Sequence, residues 1–208
     1  MDERYVITLG RECGAGATYI AQHLSKELGI PYYDKDIFRM VSDKSGVLEE
    51  FFHVNSERPG NNLLYKLVKD LKPADQKPSL GKDIVSPDNL FRFQSELIRE
   101  LADNESCIII GRCADYVLKD HDNCVHVFVC GDMDSKVQRM MHSYSLEESA
   151  AVERIKETDK QRKKYYSYYT GGDWEAASNY DLCLNTGNMS IEEAAEQILF
   201  YLKQKKYI

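Results

Sequence analysis

Long apolar runs and paired cysteines are both missing from this chain. The N-terminal residues Met1-Asp2-Glu3-Arg4 are charged, and the longest apolar stretches are only as long as a strand, so the sequence offers neither a secretory signal nor a membrane span. The six cysteines form no C-x-x-C pair, which argues against a zinc site and a disulfide framework. We therefore expect a soluble, cytoplasmic protein whose reduced thiols pack as small apolar groups.

An excess of basic charge is also missing. Lys and Arg number 27 against 34 Asp and Glu, a formal net charge of -7, which argues against a surface that neutralises nucleic-acid phosphates. Any anion site must therefore be local. Apolar residues make up 43% of the 208 residues and charged residues 29%, the balance typical of one globular domain. We expect neither a nucleic acid nor a membrane as a partner.

Five short apolar segments predict β-strands, and helical patterns lie between them. The strand segments are 5–9, 30–33, 107–110, 125–130 and 181–185. Helical periodicity marks 18–28, 87–101, 135–144, a long polar stretch reaching 165–169, and the C-terminal residues from 191. Strands that alternate with helices in this way predict a parallel sheet covered by helices on both faces.

Capping residues predict where several helices begin or end. Gly29 stands where a left-handed residue would close the first helix. Ser86 followed by Pro87 is typical of a helix start. Two capping-box sequences, Ser145 to Glu148 and Ser190 to Glu193, predict the starts of the long polar helix and of the C-terminal helix.

The pattern weakens between residues 35 and 99. Helical fragments near 36–41 and 61–71 are separated by Arg58-Pro59-Gly60 and by the polar, proline-bearing stretch 72–87. Proline and glycine at these places mark turns and loops. We interpret 35–99 as an insertion into the single domain rather than as a second core.

A glycine-rich turn lies between the first strand and the first helix and reads Gly10-Arg11-Glu12-Cys13-Gly14-Ala15-Gly16-Ala17-Thr18. Backbone N–H groups and a helix N-terminus form an anion site at this position of an α/β fold. Compared with the pattern G-x-x-x-x-G-K-[ST], Gly16 and Thr18 are kept, but Ala17 stands where the lysine belongs and Arg11 where the first glycine belongs.

Two interpretations of this turn are open, a purely structural tight turn and a phosphate site. Its position directly after the first strand favours the phosphate site. In that case the amides of Gly14, Ala15 and Gly16 form the cradle, and Thr18 is the natural Mg²⁺ ligand. Arg11 is then the nearest residue in sequence that could supply the missing lysine's charge.

Several separate blocks resemble the cytidylate kinase-like family of P-loop nucleoside monophosphate kinases, over nearly the whole chain. The blocks are Ile7-Thr8-Leu9-Gly10-Arg11-Glu12-Cys13-Gly14-Ala15-Gly16, Tyr33-Asp34-Lys35-Asp36, Ile109-Ile110-Gly111-Arg112-Cys113-Ala114-Asp115-Tyr116, Asp159-Lys160-Gln161-Arg162 with Tyr165-Tyr166, and Tyr180-Asp181-Leu182 through Asn185-Thr186-Gly187.

The resemblance implies a P-loop NTPase fold, a three-layer α/β/α domain with a five-stranded parallel sheet in the order 2-3-1-4-5. It also implies a helical insertion that binds the nucleoside monophosphate, about 35–99, and a helical lid, about 142–169. The implied activity is phosphoryl transfer from ATP with Mg²⁺ to a nucleoside monophosphate, and a cytidylate is the implied acceptor.

The resemblance also implies roles for particular residues. Gly14, Ala15, Gly16, Ala17 and Thr18 would bind the ATP phosphates, with Thr18 on the metal. Asp34 and Arg112 would hold the acceptor nucleotide. Arg139, Arg154 and Arg162 would close on the transferring phosphoryl group, because guanidinium groups bind phosphate oxygens as a fixed fork. Arg11, a candidate from its place in the turn and not from the resemblance, would replace the lysine or would be a solvated loop residue.

Departures from the family's pattern leave alternatives open. Besides Ala17, the third strand ends Ile109-Ile110-Gly111 without the acid expected of a Walker B strand, and Asp115 is the nearest carboxylate in sequence. The chain could instead bind nucleotide with weak or lost catalysis, or could phosphorylate another small molecule. The helical arginines could also be solvated surface residues.

Overall fold

The computed structural model describes residues 4–50, 52 and 86–208. Its centre is a parallel five-stranded sheet in the order β2-β3-β1-β4-β5. The strands are β1 Val6–Arg11, β2 Tyr32–Tyr33, β3 Cys107–Ile110, β4 Cys124–Cys130 and β5 Leu182–Asn185. The predicted sheet and strand order are confirmed, although β2 is only half as long as the sequence suggested.

Helices cover both faces of the sheet. Those described are α1 Ala17–Leu28, α2 Asp36–Ser45, α3 Pro87–Asn104, α4 Ala114–Val117, α5 Met133–Tyr144, α6 Glu148–Thr170, α7 Ile191–Gln204 and a 3₁₀ turn at Ala177–Asn179. Leu24 of α1 and Ile198 of α7 pack with Ile7 on one face. Phe38 of α2 and Ile98 of α3 pack with Ile109 on the other. The two buried clusters make a three-layer α/β/α domain.

Three of the four predicted caps are confirmed. Gly29 closes α1 at a φ of 66°, the Ser86 hydroxyl accepts from the Asn89 amide at 3.3 Å, and Ser190 and Glu193 form the reciprocal capping box of α7. The prediction for Ser145 is wrong. This residue adopts a left-handed conformation at the C-terminus of α5, because the chain must turn there before α6 begins at Glu148.

Part of the predicted insertion lies outside the described residues, namely the helical fragment at 61–71, the turn at 58–60 and most of the polar stretch 72–87. In the described part, α2 extends beyond the predicted 36–41 to Ser45. None of the helices within the described ranges is long and apolar enough to cross a membrane.

Candidate active site

A cleft of about 470 Å³ lies at the carboxyl edge of the sheet, bounded by the strand ends and by α5 and α6. Among the described residues, its charged lining consists of Arg11, Lys35, Arg112, Arg139, Arg154 and Arg162 on the cationic side, with Glu12 and Asp34 on the anionic side. A chain of net charge -7 thus concentrates cations in one place. An anion site, which the composition predicts to be local if there is one, would therefore lie at this cleft.

The glycine-rich turn forms one wall of the cleft. Gly14 and Gly16 have φ values of 79° and 87°, which glycine adopts without the steric cost of a Cβ. Gly16 is also the N-cap residue of α1, and no side chain caps that helix. A helix N-terminus without a side-chain cap has amides available to an anion, and its dipole favours negative charge.

The turn amides divide into two groups. Within the described parts of the chain, the amides of Gly14, Gly16, Ala17 and Thr18 make no intramolecular hydrogen bond. The Ala15 amide, which was expected in the cradle, instead donates to the Glu12 carbonyl oxygen at 3.3 Å. The structure therefore presents a row of amides at the start of α1, displaced toward the helix relative to the predicted cradle.

Carbonyl oxygens of the turn are bound from outside by side chains distant in sequence. The guanidinium of Arg139 donates to the carbonyls of Gly14, at 3.2 Å, and of Thr186. The buried Thr186 hydroxyl lies 2.9 Å from the Ala15 carbonyl, and Arg162 donates to the Arg11 carbonyl at 3.1 Å. These contacts fix the outer side of the turn before any ligand binds.

Asp34 forms the centre of the opposite side of the cleft. Its Oδ1 accepts from Arg11 at 3.3 Å and lies 3.7 Å from Arg112. The Arg112 guanidinium also lies over the Phe38 ring, 4.0 Å from its centroid, a favourable cation–π position. Arg112 itself is buried and has a φ of 62°, an uncommon conformation for an arginine that concentrates at functional sites.

The structure thus brings ten of the eleven sequence-predicted site residues to the lining of one cleft, but it distributes them unevenly. The eleventh, Ala15, is fully buried in the core. Although Arg11 is part of the turn in sequence, its guanidinium lies against Gly111 and pairs with Asp34. Arg139 is the cation beside the glycines. Arg154 is exposed and lies 4.4 Å above the Tyr144 ring at the mouth of the cleft.

Asp115 does not line this cleft. It lies below it, in a cavity of about 30 Å³ shared with Arg11 and Arg112, and accepts from the Tyr166 hydroxyl at 2.7 Å. Burial raises the pKa of the Asp115 carboxyl, and the Tyr166 hydrogen bond partly offsets this. It therefore does not replace the missing Walker B acid next to Thr18.

Sequence reasoning missed three residues that shape the cleft. Phe38 supports Arg112. Lys136 pairs with Glu12 beneath the turn at 2.9 Å and is almost fully buried. The only available signal for Glu12 was its position inside the turn, and nothing near Lys136 in sequence distinguishes it from a surface lysine of α5.

The described residues were also compared with the side-chain groups that bind metal ions. No group of three or more His, Cys, Asp or Glu side chains suited to a metal ion occurs within the described ranges 4–50, 52 and 86–208. Both carboxylates in the cleft, Glu12 and Asp34, are already in ion pairs with Lys or Arg. A divalent cation in this cleft would therefore rely on the Thr18 hydroxyl and on oxygens of a bound phosphate.

Comparison with known proteins agrees with this geometry. A family model described as the cytidylate kinase-like family matches residues 6–188. The cytidylate kinase of Sulfurisphaera tokodaii is 23% identical over 198 residues, which cover 95% of this chain and 94% of that protein.

Solved structures share the fold. An uncharacterized protein from Eubacterium ventriosum has a TM-score of 0.71 at 25% identity, covering 96% of this chain and 99% of that one. A shikimate kinase from Bacteroides thetaiotaomicron has a TM-score of 0.54 at 14% identity, covering 96% and 98%. At that identity the likeness shows the fold alone, which is that of the P-loop kinases.

Proposed function

The chain belongs to the cytidylate kinase-like family, and on that premise we propose that it transfers a phosphoryl group from ATP to a nucleoside monophosphate of the cytidylate type. One observation carries the proposal. Five arginines from distant parts of the chain line the cleft at which the backbone amides of the start of α1 are available to a ligand. Phosphoryl transfer depends on such positioned cations and amides rather than on covalent chemistry by the protein.

The donor phosphates would bind on the turn side. The amides of Gly14, Gly16, Ala17 and Thr18 would donate hydrogen bonds to the phosphate oxygens. The observation that these amides have no partner within the described residues supports this fit. Mg²⁺ would be held by the Thr18 hydroxyl together with the nucleotide phosphates, and would neutralise phosphate charge there.

Arginine would replace the missing lysine. Arg139 lies next to Gly14, and Arg162 is held on the Arg11 carbonyl, so both guanidinium groups already face the turn. Arg11 contributes its charge from the Asp34 side, and Arg154 would close over the mouth of the cleft. A guanidinium supplies a fixed pair of donors and a permanent charge, which suits the equatorial oxygens of the transferring group.

The acceptor would bind between Asp34 and Arg112. Arg112 ends a buried segment at the carboxyl edge of the sheet, where ligands of α/β folds gather, and its charge suits the acceptor phosphate. Asp34 is an acceptor of hydrogen bonds and suits the sugar or base of a nucleoside. In this proposal the insertion 35–99 forms the acceptor region, and 142–169 forms the lid.

The proposal is tested by measuring ADP release from ATP and Mg²⁺ with CMP, dCMP, UMP, AMP and GMP. We expect turnover that depends on the acceptor and is fastest with CMP or dCMP. Turnover with none of the five acceptors would contradict the proposal. Ala17→Lys, with Ala17→Met as an uncharged control of similar length, measures how far the arginines compensate for the lysine.

Ala17 also favours a second candidate, a nucleotide-binding protein with weak or lost catalysis. Such a protein would bind Mg²⁺–ADP and Mg²⁺–ATP in calorimetry yet release no ADP with any acceptor. If only Ala17→Lys turned over, the missing lysine would be the cause. Turnover with a small molecule other than a nucleotide would instead point to a different acceptor for the same machinery.

A further inference from the structure

A charge cluster centred on the buried Lys136 lies behind the glycine-rich turn, and its members Glu12 and Arg162 reach the cleft. The Lys136 ammonium is 2.9 Å from Glu12 Oε2 and 3.7 Å from Asp159 Oδ2, and the Lys136 side chain is only 7% exposed. Asp159 lies 4.0 Å from Arg162. The cluster joins the turn to α5 and α6. Glu12 of the turn and Lys136 of α5 are 124 residues apart in sequence.

Backbone contacts tie the same three elements together. Asp159 Oδ1 accepts from the Cys13 amide at 2.6 Å, and Glu12 Oε2 accepts from the Gly131 amide at 3.0 Å. Gly14 packs on the Lys136 backbone so closely that a Cβ at position 14 would lie 2.8 Å from the Lys136 carbonyl oxygen. The turn therefore rests on Lys136 both through charge and through direct packing.

An anion site at the turn needs a cation next to Glu12, because the Glu12 carboxylate is itself negative. Glu12 lines the cleft, so an uncompensated carboxylate there would repel a phosphate across a partly buried, weakly screened distance. Lys136 approaches Glu12 from behind and leaves the cleft-facing side of the turn to the amides. Its charge thus cancels that of Glu12 without occupying the space of the donor phosphates.

We propose that Lys136 is a positioning residue that neutralises Glu12 behind the turn and, through Asp159, holds the turn and α6 in one fixed arrangement. The inference rests on the proposed function, since it assumes that the turn binds phosphate. It separates two roles of one lysine. The charge on Glu12 governs nucleotide affinity, and the link to Asp159 governs how firmly the turn and the lid helix are joined.

The affinity role predicts an asymmetry between partners. Lys136→Met leaves Glu12 negative and unpaired, so we expect the dissociation constant for Mg²⁺–ADP to rise about tenfold or more, as for an anion meeting an uncompensated neighbouring charge. Glu12→Gln removes the repulsive charge and should bind at least as well as the natural protein. The double variant Glu12→Gln with Lys136→Met should recover most of the lost affinity.

Isothermal titration of Mg²⁺–ADP into the full chain measures these constants at low and high salt, with Lys156→Met as control. Lys156 is an exposed lysine of α6, so its removal changes the net charge equally without touching the turn. Thermal unfolding identifies any variant that fails to fold. Unchanged affinity in folded Lys136→Met, or binding by Glu12→Gln as weak as by Lys136→Met, would overturn the affinity role, because a purely structural ion pair is disrupted from either side.

Amide hydrogen exchange tests the linking role without any nucleotide. We expect the Cys13 amide and the middle of α6 to exchange at least about tenfold faster in Lys136→Met than in the natural protein, since their shared anchor is lost. Equal exchange in the two proteins would overturn this role. A natural protein that bound no nucleotide would contradict the proposed function and the affinity role, whereas the exchange result would still decide the linking role.

Discussion

The two sides of the cleft use arginine differently. On the turn side, Arg139 and Arg162 donate to backbone carbonyls, and carbonyls carry no net charge. On the Asp34 side, Arg11 and Arg112 share one carboxylate. The turn-side arginines are thus held mainly by the backbone, with Asp159 4.0 Å from Arg162, whereas Arg11 and Arg112 are held by the carboxylate of Asp34. Cations anchored on the backbone suit the donor phosphates, and an ion pair that can be exchanged suits an acceptor that binds and leaves.

The strongest test of this comparison removes the turn-side cation. Arg139→Ala should lower kcat for phosphoryl transfer about 10³-fold, the scale reported for an arginine on the transition-state charge. Arg139→Lys should recover little, because lysine cannot form the same fork to two groups. Single-turnover transfer from ATP to CMP measures the chemical step. A loss of less than about tenfold in Arg139→Ala would mean that the turn side does not carry the charge of the reaction.

Removing the buried cation of the Asp34 side should act on the acceptor instead. Arg112→Ala should raise the acceptor KM by about tenfold to a hundredfold, the cost of a charged hydrogen bond, while the KM for ATP stays within about twofold. At a φ of 62°, alanine and arginine have a similar backbone strain because both carry a Cβ. The substitution should therefore leave the backbone conformation unchanged. An unchanged acceptor KM would end the assignment of Arg112.

Asp34→Asn removes the carboxylate from the Asp34 side of the cleft and so makes that side more like the turn side. Without the carboxylate, Arg11 and Arg112 would lose one negative partner, so inorganic phosphate and pyrophosphate should inhibit about threefold to fivefold more strongly at low salt. Selectivity among acceptors should fall at the same time. Inhibition constants at two salt concentrations provide the measurement, and equal inhibition of both proteins would show that Asp34 does not restrain the arginines.

The smallest expected effect concerns Asp115, beneath the Asp34 side. Burial raises the pKa of this carboxyl, while Tyr166 and the nearby His126 partly lower it. A carboxyl with a raised pKa in the folded state stabilises the fold below its ordinary pKa and loses that contribution as pH rises through its folded pKa.

Asp115→Asn removes this titration but keeps an acceptor for the Tyr166 hydroxyl. As pH rises from about 4 to 7, the melting temperature of the variant should therefore rise relative to that of the natural protein. Each kcal/mol of unfolding free energy corresponds to about 2 to 4 °C for a chain of this size. Differential scanning calorimetry across that range measures the gain. A difference that stayed constant with pH would contradict the role of burial at Asp115.

Local signals predicted most of the fold because they act within a few residues. Strand composition and helical periodicity predicted β1, β3 and β4 closely. The capping box at Ser190 was confirmed since its two hydrogen bonds form inside one turn of helix. The same signal failed at Ser145, where the chain had to reverse between two packed helices. Packing between helices therefore outweighed the local preference of the sequence.

The partners of the site residues could not be predicted in the same way. Arg11 was expected at the turn because it is adjacent in sequence, yet its side chain reaches Asp34, 23 residues away. Asp159 and Arg162 are three residues apart on α6 and lie 4.0 Å from each other, but Asp159 also binds the Cys13 amide, 146 residues away. Such contacts depend on which strand ends are neighbours and on the direction of each side chain.

The sequence by itself determined the alternating strands and helices, the parallel sheet and the position of the glycine-rich turn, since each of these follows from residue periods, caps and glycines in short segments. Only the tertiary structure decided that Lys136 neutralises Glu12, that Arg139 rather than Arg11 stands beside the glycines, and that Asp34 divides its charge between two arginines. The physical reason is that electrostatic energies depend on distances of a few ångströms, and sequence spacing does not fix such distances between separate elements.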